Sequence, residues 1–200
     1  MLTEAEAEFL VQLVRKVLTH YVVDRRRIEV PSDVPPSLEK KAGVFITLYE
    51  VDDNGKQLKG CMGVPLPENH LIQATIEAAL LSSTKDFRFE PVTLNEIDRI
   101  MIKVCVLSPP ELIQVNSPLE YPKRVEVGQD GLIVRWHLAS GLLLPELPIQ
   151  FGWDSQDFLT YACMKAGPPP DCWLTPEVKI YKFQTDVCEE AEPGGSVVVH

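Results

Sequence analysis

Proline is the residue type that most restricts what this chain can fold into. Seventeen of its 200 residues are proline, and many of them stand at the borders of apolar segments, such as Pro31, Pro65, Pro91 and Pro110. Because proline fixes φ and has no amide donor, a helix or an inner strand rarely continues through it. We therefore predict short elements joined by ordered loops. A hydrophobic content of 45% is enough for a full core, in one domain or in two closely packed lobes.

Three segments carry helix signals. Residues 3–21 begin with a capping box and then repeat apolar residues at helical spacing. Residues 68–83 are apolar on more than one face, which indicates a buried helix. A third helix is predicted from Asp154 or Ser155, either of which can act as its N-cap, to about Lys165.

Apolar runs bounded by turn signals predict the strands. The Asn54-Gly55 pair indicates a hairpin, and the long apolar run of residues 100–107 indicates a central strand. A second hairpin is predicted around Asp130-Gly131, between residues 125–127 and the strand that follows. The predicted strands are 43–51, 57–64, 100–107, 132–136 and 178–183.

Charge and cysteine content narrow the class of protein. The formal net charge of −10 opposes general binding to nucleic acid, since phosphates are held by clustered Lys and Arg. Five cysteines without CxxC spacing form neither a disulfide framework nor a zinc site, and they fit a reducing compartment. No apolar run approaches the ~18 residues that would span a bilayer. We expect a soluble, cytoplasmic protein.

Cys61 is the candidate nucleophile. Lys59 lies nearby and would lower the pKa of the thiol, and His70, at the start of the following helix, is the nearest base in the sequence. Gly60 and Gly63 allow a ligand or another part of the chain to approach the backbone closely. The alternative is that Cys61 is a small buried residue in a tightly packed segment.

Asp86 and Arg88 form the second candidate site. Two residues apart on a strand, they would share one face, where they could bind a polar or anionic ligand together with Lys59, Gly60 and Gly63. They could equally hold the loop after the second helix by a salt bridge. No metal site or cofactor is predicted, because the histidines are isolated and the phosphate-loop and dinucleotide fingerprints are absent.

Several motifs, taken together in order, resemble one known family. The match extends from Gly43 to Phe183 and is to the AMMECR-one family, named for a human chromosomal region. The Leu-Arg-Gly-Cys-Ile-Gly signature of that family is similar to residues 58–63, with Lys59 in place of arginine, a change that loses the planar bidentate fork. The other motifs are Asp86-Phe87-Arg88-Phe89-Glu90-Pro91, Gly141-Leu142-Leu143-Leu144-Pro145, Gly152-Trp153-Asp154, Lys165-Ala166-Gly167 and Trp173.

The resemblance implies an α+β fold of two lobes, with a mainly antiparallel sheet, short helices and an interlobe cleft. It also implies partners of the Memo and radical-SAM types. We expect one domain of two subdomains over residues 1–188. Because residues 189–200 are acidic and rich in glycine, we expect them to form a disordered tail.

Two functional hypotheses remain open, with a third behind them. In the first, the chain is an enzyme or a small-molecule-binding domain that uses a cleft around Cys61. In the second, it is a non-catalytic protein-interaction module, which needs only a well-formed surface and explains why no complete catalytic set accompanies Cys61. Nucleic-acid binding comes third, because it would need a focused basic face on an acidic protein.

Overall fold

The computed structural model describes residues 1–53 and 55–200. The α-helices of 12 residues or more contain no proline, and the two α-helices that contain one are 4 and 6 residues long. The helices are α1 (Glu4–Asp24), α2 (Leu71–Thr84), α3 (Tyr121–Arg124), α4 (Glu146–Phe151) and α5 (Ser155–Ala166). The strands are β1 (Gly43–Asp52), β2 (Gly55–Val64), β3 (Ile100–Leu107), β4 (Glu111–Leu112), β5 (Gly131–Trp136), β6 (Ala139–Leu143), β7 (Val178–Phe183), β8 (Thr185–Glu190) and β9 (Val197–Val199).

The first of two compact units consists of residues 1–107 and 186–200. It contains a five-stranded sheet in the order β2-β1-β3-β8-β9. The pairs β1–β2, β1–β3 and β8–β9 are antiparallel. Helices α1 and α2 pack with the sheet around one apolar core. The predicted central strand of residues 100–107 is confirmed as β3, the middle strand of the sheet.

Local sequence signals explain the two helices of this unit. Thr3 and Glu6 form the expected capping box of α1, which ends at Arg25 in a left-handed conformation. Helix α2 begins at Leu71, three residues later than predicted, and is buried on most sides as expected. Strands β1 and β2 form the predicted hairpin; Asn54, on which its turn was predicted, lies outside the described residues.

The second unit consists of residues 108–185. It contains a four-stranded sheet in the order β4-β7-β5-β6, with antiparallel pairs, and a separate apolar core against which α5 packs. Helix α5 has the predicted Asp154 cap, with a capping box completed by Asp157, and ends at Gly167 in a left-handed conformation. The α+β fold class with antiparallel sheets is therefore confirmed.

The hairpin predicted around Asp130-Gly131 is wrong. The carboxylate of Asp130 is buried and accepts the amide proton of Glu126 at 2.9 Å, which closes a local turn through Gly128 at φ 88°. Strand β5 pairs with β6 and β7 instead, and its turn to β6 contains His137 at φ 52°. The Glu126 amide is therefore bonded to the Asp130 carboxylate, and residues 125–127 belong to this turn and not to a strand.

The expected disordered tail over residues 189–200 also differs from the structure. Strand β8 runs to Glu190, and β9 pairs with it at Glu189–Val198. Val197 and Val199 pack against the core of the first unit, and the Glu190 carboxylate is buried against Arg15. These long-range contacts outweigh the local glycine and charge content. The single domain over 1–188 and the interlobe cleft stay predictions.

Among the residues that the structure describes, no helix is long and apolar enough to cross a membrane.

Candidate functional site

Strand β2 carries most of the predicted site residues and has a bulge. Gly60 lies opposite Leu48 and Leu58 lies opposite Tyr49, which leaves Lys59 as the extra residue. A bulge of this kind redirects a side chain. The Lys59 ammonium is ion-paired with Glu96, and the two side chains are only 13% and 18% exposed.

The Glu96 carboxylate accepts hydrogen bonds from Thr93 as well as from Lys59. Burial raises the pKa of the Glu96 carboxyl, but hydrogen bonds from Lys59 and from Thr93 outweigh burial and leave this pKa below its ordinary value. Thr93 donates both its amide and its hydroxyl protons to Glu96. The Lys59 ammonium is therefore bound to a carboxylate of its own chain.

Cys61 follows the bulge and is half-buried. Its thiol accepts a hydrogen bond from the hydroxyl of Thr47, the residue opposite it on β1, at 3.2 Å. Strand β2 is an edge strand, so its outer backbone groups have no strand partner. The amide of Cys61 donates to Asp86 Oδ2 at 2.8 Å, and its carbonyl accepts from Arg88 Nη2 at 3.3 Å. These two side chains occupy the edge as a neighbouring strand would.

Asp86 and Arg88 form a bidentate pair, with Nε–Oδ1 at 2.9 Å and Nη2–Oδ2 at 2.7 Å. The pair lies in a turn after α2 and not on a strand, which corrects the sequence analysis. The Asp86 side chain is 2% exposed and the Arg88 side chain 48%. The hydrogen bonds of Arg88, opposed by burial and helped by the Cys61 amide, lower the pKa of Asp86 to about 2. The salt bridge expected between Asp86 and Arg88 therefore forms, and it holds the loop after α2.

Gly60 and Gly63 lie where a side chain would not fit. A Cβ at Gly60 would lie 2.1 Å from the carbonyl oxygen of Ser82, and one at Gly63 would lie 2.5 Å from the Phe45 ring. Both glycines therefore allow β2 to pack closely against its own unit. The groups that lie close to the backbone here belong to α2 at Gly60 and to β1 at Gly63.

Sequence reasoning missed Ser82, Thr47 and Glu96. The Ser82 hydroxyl accepts from the Met62 amide at 3.0 Å and lies 2.8 Å from the Ile46 carbonyl, so it joins α2 to both strands of the hairpin. Two serines at the end of a largely apolar, buried helix were a usable signal, because buried hydroxyls need hydrogen-bond partners. The contacts of Thr47 with Cys61 and of Glu96 with Lys59 carried no comparable signal, since these partners are 14 and 37 residues apart.

His70 lies at the opposite end of α2 from this site. It occupies the N-cap position, with Nδ1 3.3 Å from the carbonyl oxygen of Glu39. At the rise of an α-helix, His70 and Ser82 are separated by roughly 18 Å along the axis. The structure thus brings Lys59, Gly60, Cys61, Asp86 and Arg88 into one region and does not bring His70 there.

Phe87 stands between the two locked residues, and its side chain is 95% exposed. The residues on either side of it are held by the hydrogen bonds to Cys61, so the loop has few alternative conformations. Leu58 and Leu94 are also exposed, at 38% and 57%. The Asp86 carboxylate is buried, whereas the Phe87 ring faces solvent.

One cysteine pair differs from the sequence prediction. Cys163 at the end of α5 and Cys172 form a disulfide in the second unit, while Cys61, Cys105 and Cys188 are free. The nine-residue separation is not a recognisable sequence motif, and the pair forms because Gly167 turns the chain back after α5. In the described ranges, no group of three or more His, Cys, Asp or Glu residues is placed to hold a metal ion.

Comparison with known proteins shows the family to which the chain belongs. The AMMECR1 family model, which describes the AMMECR-one family, matches residues 11–188. The chain belongs to the AMMECR1 family. Protein PH0010 of Pyrococcus horikoshii is 47% identical over 192 residues, covering 95% of this chain and 92% of that protein. Protein MJ0810 of Methanocaldococcus jannaschii is 44% identical over 198 residues, covering 99% and 96%.

A solved structure agrees with the architecture. The crystal structure of PH0010, titled an uncharacterized protein, matches with a TM-score of 0.91 at 44% identity and covers 100% of this chain and 98% of that chain. The resemblance drawn from the sequence motifs is therefore confirmed. These relatives are archaeal proteins.

Proposed function

We propose that this AMMECR1-family chain is a non-catalytic protein-interaction module whose docking anchor is Phe87. One observation carries the proposal: the polar groups expected to perform chemistry instead hold the loop that exposes this ring. Exposed aromatic side chains on rigid supports are frequent hot spots of protein interfaces. A loop that is already ordered loses little conformational entropy on binding.

The surroundings of Cys61 support binding over catalysis. A cysteine nucleophile is activated by a base that hydrogen-bonds to it or by an unpaired cation. Here the thiol accepts a hydrogen bond from a hydroxyl and the Lys59 ammonium is paired with Glu96. The Arg88 guanidinium, which interacts electrostatically with Cys61, is paired with Asp86.

The four histidines contact other groups. His20 and His70 lie against the carbonyl oxygens of Lys16 and Glu39. His137 contacts the Trp136 ring, and His200 contacts the Glu189 carboxylate.

The partner we propose is a Memo-type protein, the class that the family resemblance implies. The Phe87 ring would enter an apolar pocket of the partner. The half-exposed Arg88 guanidinium, beside it, would hydrogen-bond to acceptors at the rim of that pocket. Asp86 would act only by holding the loop.

Binding to a purified Memo-type protein from the same genome, measured by titration calorimetry, tests this proposal. Phe87→Ala should weaken binding roughly tenfold or more, as loss of a hot-spot side chain does. Val23→Ala is the matched control, because Val23 is also apolar, lies in the same unit and is 55% exposed. Unchanged affinity in Phe87→Ala, or no binding by the unmodified chain, would overturn the proposal.

The enzymatic alternative has its own test. In a variant with Cys105→Ala and Cys188→Ala, Cys61 is the one free thiol besides the Cys163–Cys172 disulfide. Rapid alkylation of Cys61 at about pH 6 to 7 would indicate an activated thiolate and would support the nucleophile hypothesis. We expect only slow labelling of Cys61 in the folded chain at this pH.

A further inference from the structure

Three aromatic side chains form a continuous stack in the second unit. Trp153 stands in the middle, with its ring centroid 4.0 Å from that of Tyr161 and 5.0 Å from that of Phe151. The interplanar angles are only 17° and 20°. Phe151 is 58% exposed and Tyr161 is 40% exposed. The aromatic stack, as we call these three residues, is therefore a surface feature.

The backbone on both sides holds the aromatic stack in place. Gly152 ends α4 in a left-handed conformation at φ 68°, which turns the chain sharply between Phe151 and Trp153. Asp154 caps α5 directly afterwards, and Trp153 packs partly against the core of the unit. The stack is therefore ordered before any partner binds.

In the segment that carries the aromatic stack, the charged residues are acidic up to Lys165, which follows Tyr161 by one helical turn. Residues 136–164 contain no lysine or arginine but contain Glu146, Asp154 and Asp157. Asp154 and Asp157 are exposed at the start of α5, immediately after Trp153. The cation–π contacts recorded among the described residues pair their cations with other rings: Tyr21, Tyr49, Phe89 and Tyr181.

Aromatic faces beside carboxylates are complementary to a guanidinium. The negative face of a ring attracts a cation, and a weakly hydrated, planar guanidinium stacks on it while still donating hydrogen bonds to a carboxylate. The net charge of −10 of the whole chain also favours approach of a basic partner.

We infer that the aromatic stack and its two aspartates form a binding site for an arginine side chain in an exposed segment of a partner protein. The guanidinium lies against the stack and donates to Asp154 or Asp157. This site is in the second unit and does not depend on Phe87, so it stands or falls separately from the proposed function.

The test uses a short peptide with two arginines separated by glycine and a control peptide with citrulline at both positions. Citrulline keeps the planar shape of arginine and removes its charge. In ¹⁵N–¹H spectra of the full chain, the indole N–H signal of Trp153, assigned with Trp153→Phe, should shift with the arginine peptide and not with the citrulline peptide. Equal shifts, or none, overturn the inference.

Three variants sharpen the test. Phe151→Ala should weaken arginine-peptide binding roughly two- to fivefold, the usual effect of one exposed cation–π contact. Asp154→Asn with Asp157→Asn removes both charges, keeps a good N-cap, and should weaken binding by a similar factor. Phe87→Ala should have no effect. An unchanged affinity in both site variants would place the peptide elsewhere and overturn the inference.

A second copy of the chain could also cover an exposed aromatic surface. Sedimentation of the unmodified chain distinguishes this case. Self-association that Phe151→Ala abolishes would identify a second copy as the occupant and overturn the inference, whereas a monomer in both forms agrees with it.

Discussion

The first unit contains two buried carboxylates that are each paired with an arginine. The two ion pairs have similar local geometry, so a difference in their roles must come from the parts of the chain that they connect. Asp86 pairs with Arg88 and Glu190 pairs with Arg15, both through two hydrogen bonds. Each carboxylate also accepts a backbone amide proton from the sheet, that of Cys61 at 2.8 Å and that of Ile102 at 2.9 Å. The Asp86 and Glu190 side chains are 2% and 3% exposed.

The two pairs differ in what they connect. Asp86 and Arg88 are two residues apart and hold a loop against the free edge of β2. Arg15 and Glu190 are 175 residues apart, and Arg15 also donates to the carbonyls of Ile97 and Ile100. The Arg15 pair therefore joins the first helix to β8 and to the start of β3. We infer that the long-range pair stabilises the unit, whereas the local pair shapes a surface.

The largest expected effect is that of Glu190→Gln. It leaves the Arg15 guanidinium, 25% exposed, without a charged partner, and breaking a buried ion pair in this way costs about 3–5 kcal/mol. Urea unfolding should show this loss in the free energy of unfolding. Glu189→Gln is the matched control, since Glu189 is an adjacent, more exposed glutamate paired with Lys56, and its loss should cost less than about 1 kcal/mol. Equal losses would contradict a special role for the Arg15 pair.

Asp86→Ala should have a smaller effect on stability, about 2–3 kcal/mol, because it leaves a buried amide and a half-exposed guanidinium without their acceptor. Its clearer effect should be local. Hydrogen exchange of residues 85–90 and of the Cys61 amide should become faster, while exchange in α1 stays slow. If α1 loses protection to the same degree, the local pair also stabilises the whole unit, and the contrast with Arg15–Glu190 fails.

Acid should weaken the local pair. The pKa of Asp86 is about 2 in the folded chain against 3.8 ordinarily, so the carboxylate stabilises the fold fully above about pH 4 and progressively less as the pH falls towards 2. A shift of this size corresponds to about 2 kcal/mol. The free energy of unfolding should therefore fall less steeply with acid in Asp86→Asn than in the unmodified chain. Parallel pH profiles would show that Asp86 is not held by Arg88.

The smallest expected effect on stability is that of Phe87→Ser. Because the ring is 95% exposed, its removal should change the free energy of unfolding by less than about 0.5 kcal/mol. Thermal or urea unfolding measures this directly. A loss above about 1 kcal/mol would mean that the Phe87 ring stabilises the fold. It would contradict the proposal that Asp86 and Arg88 hold the loop while Phe87 serves only to bind a partner.

Much of the candidate site could be predicted as a set of residues but not as a set of contacts. The glycines around Cys61 indicated close packing, and they do lie against Ser82 and Phe45. That Asp86 holds the Cys61 backbone could not be predicted, because the two lie 25 residues apart and meet only when β2 and the end of α2 pack together. His70 illustrates the opposite error, since nearness in the sequence placed it close to Cys61 and the length of α2 separates them.

The sequence by itself determined the elements whose signals are local. The capping box at Thr3, an N-cap at Asp154, the end of α5 after Lys165 and the apolar run of β3 depend on residues within one turn or one strand. The family motifs belong here too, since they are runs of adjacent residues. Backbone hydrogen bonding and side-chain periodicity act over such short distances, so no knowledge of the rest of the chain is needed.

Only the tertiary structure decided the pairings between distant residues. It joined Glu190 to Arg15, so that a segment with the composition of a disordered tail became part of the sheet. It brought Cys163 to Cys172 and placed Phe87 in solvent between two locked neighbours. Contacts of this kind depend on which surfaces become buried together, and burial is a property of the whole folded chain that no local run of residues contains.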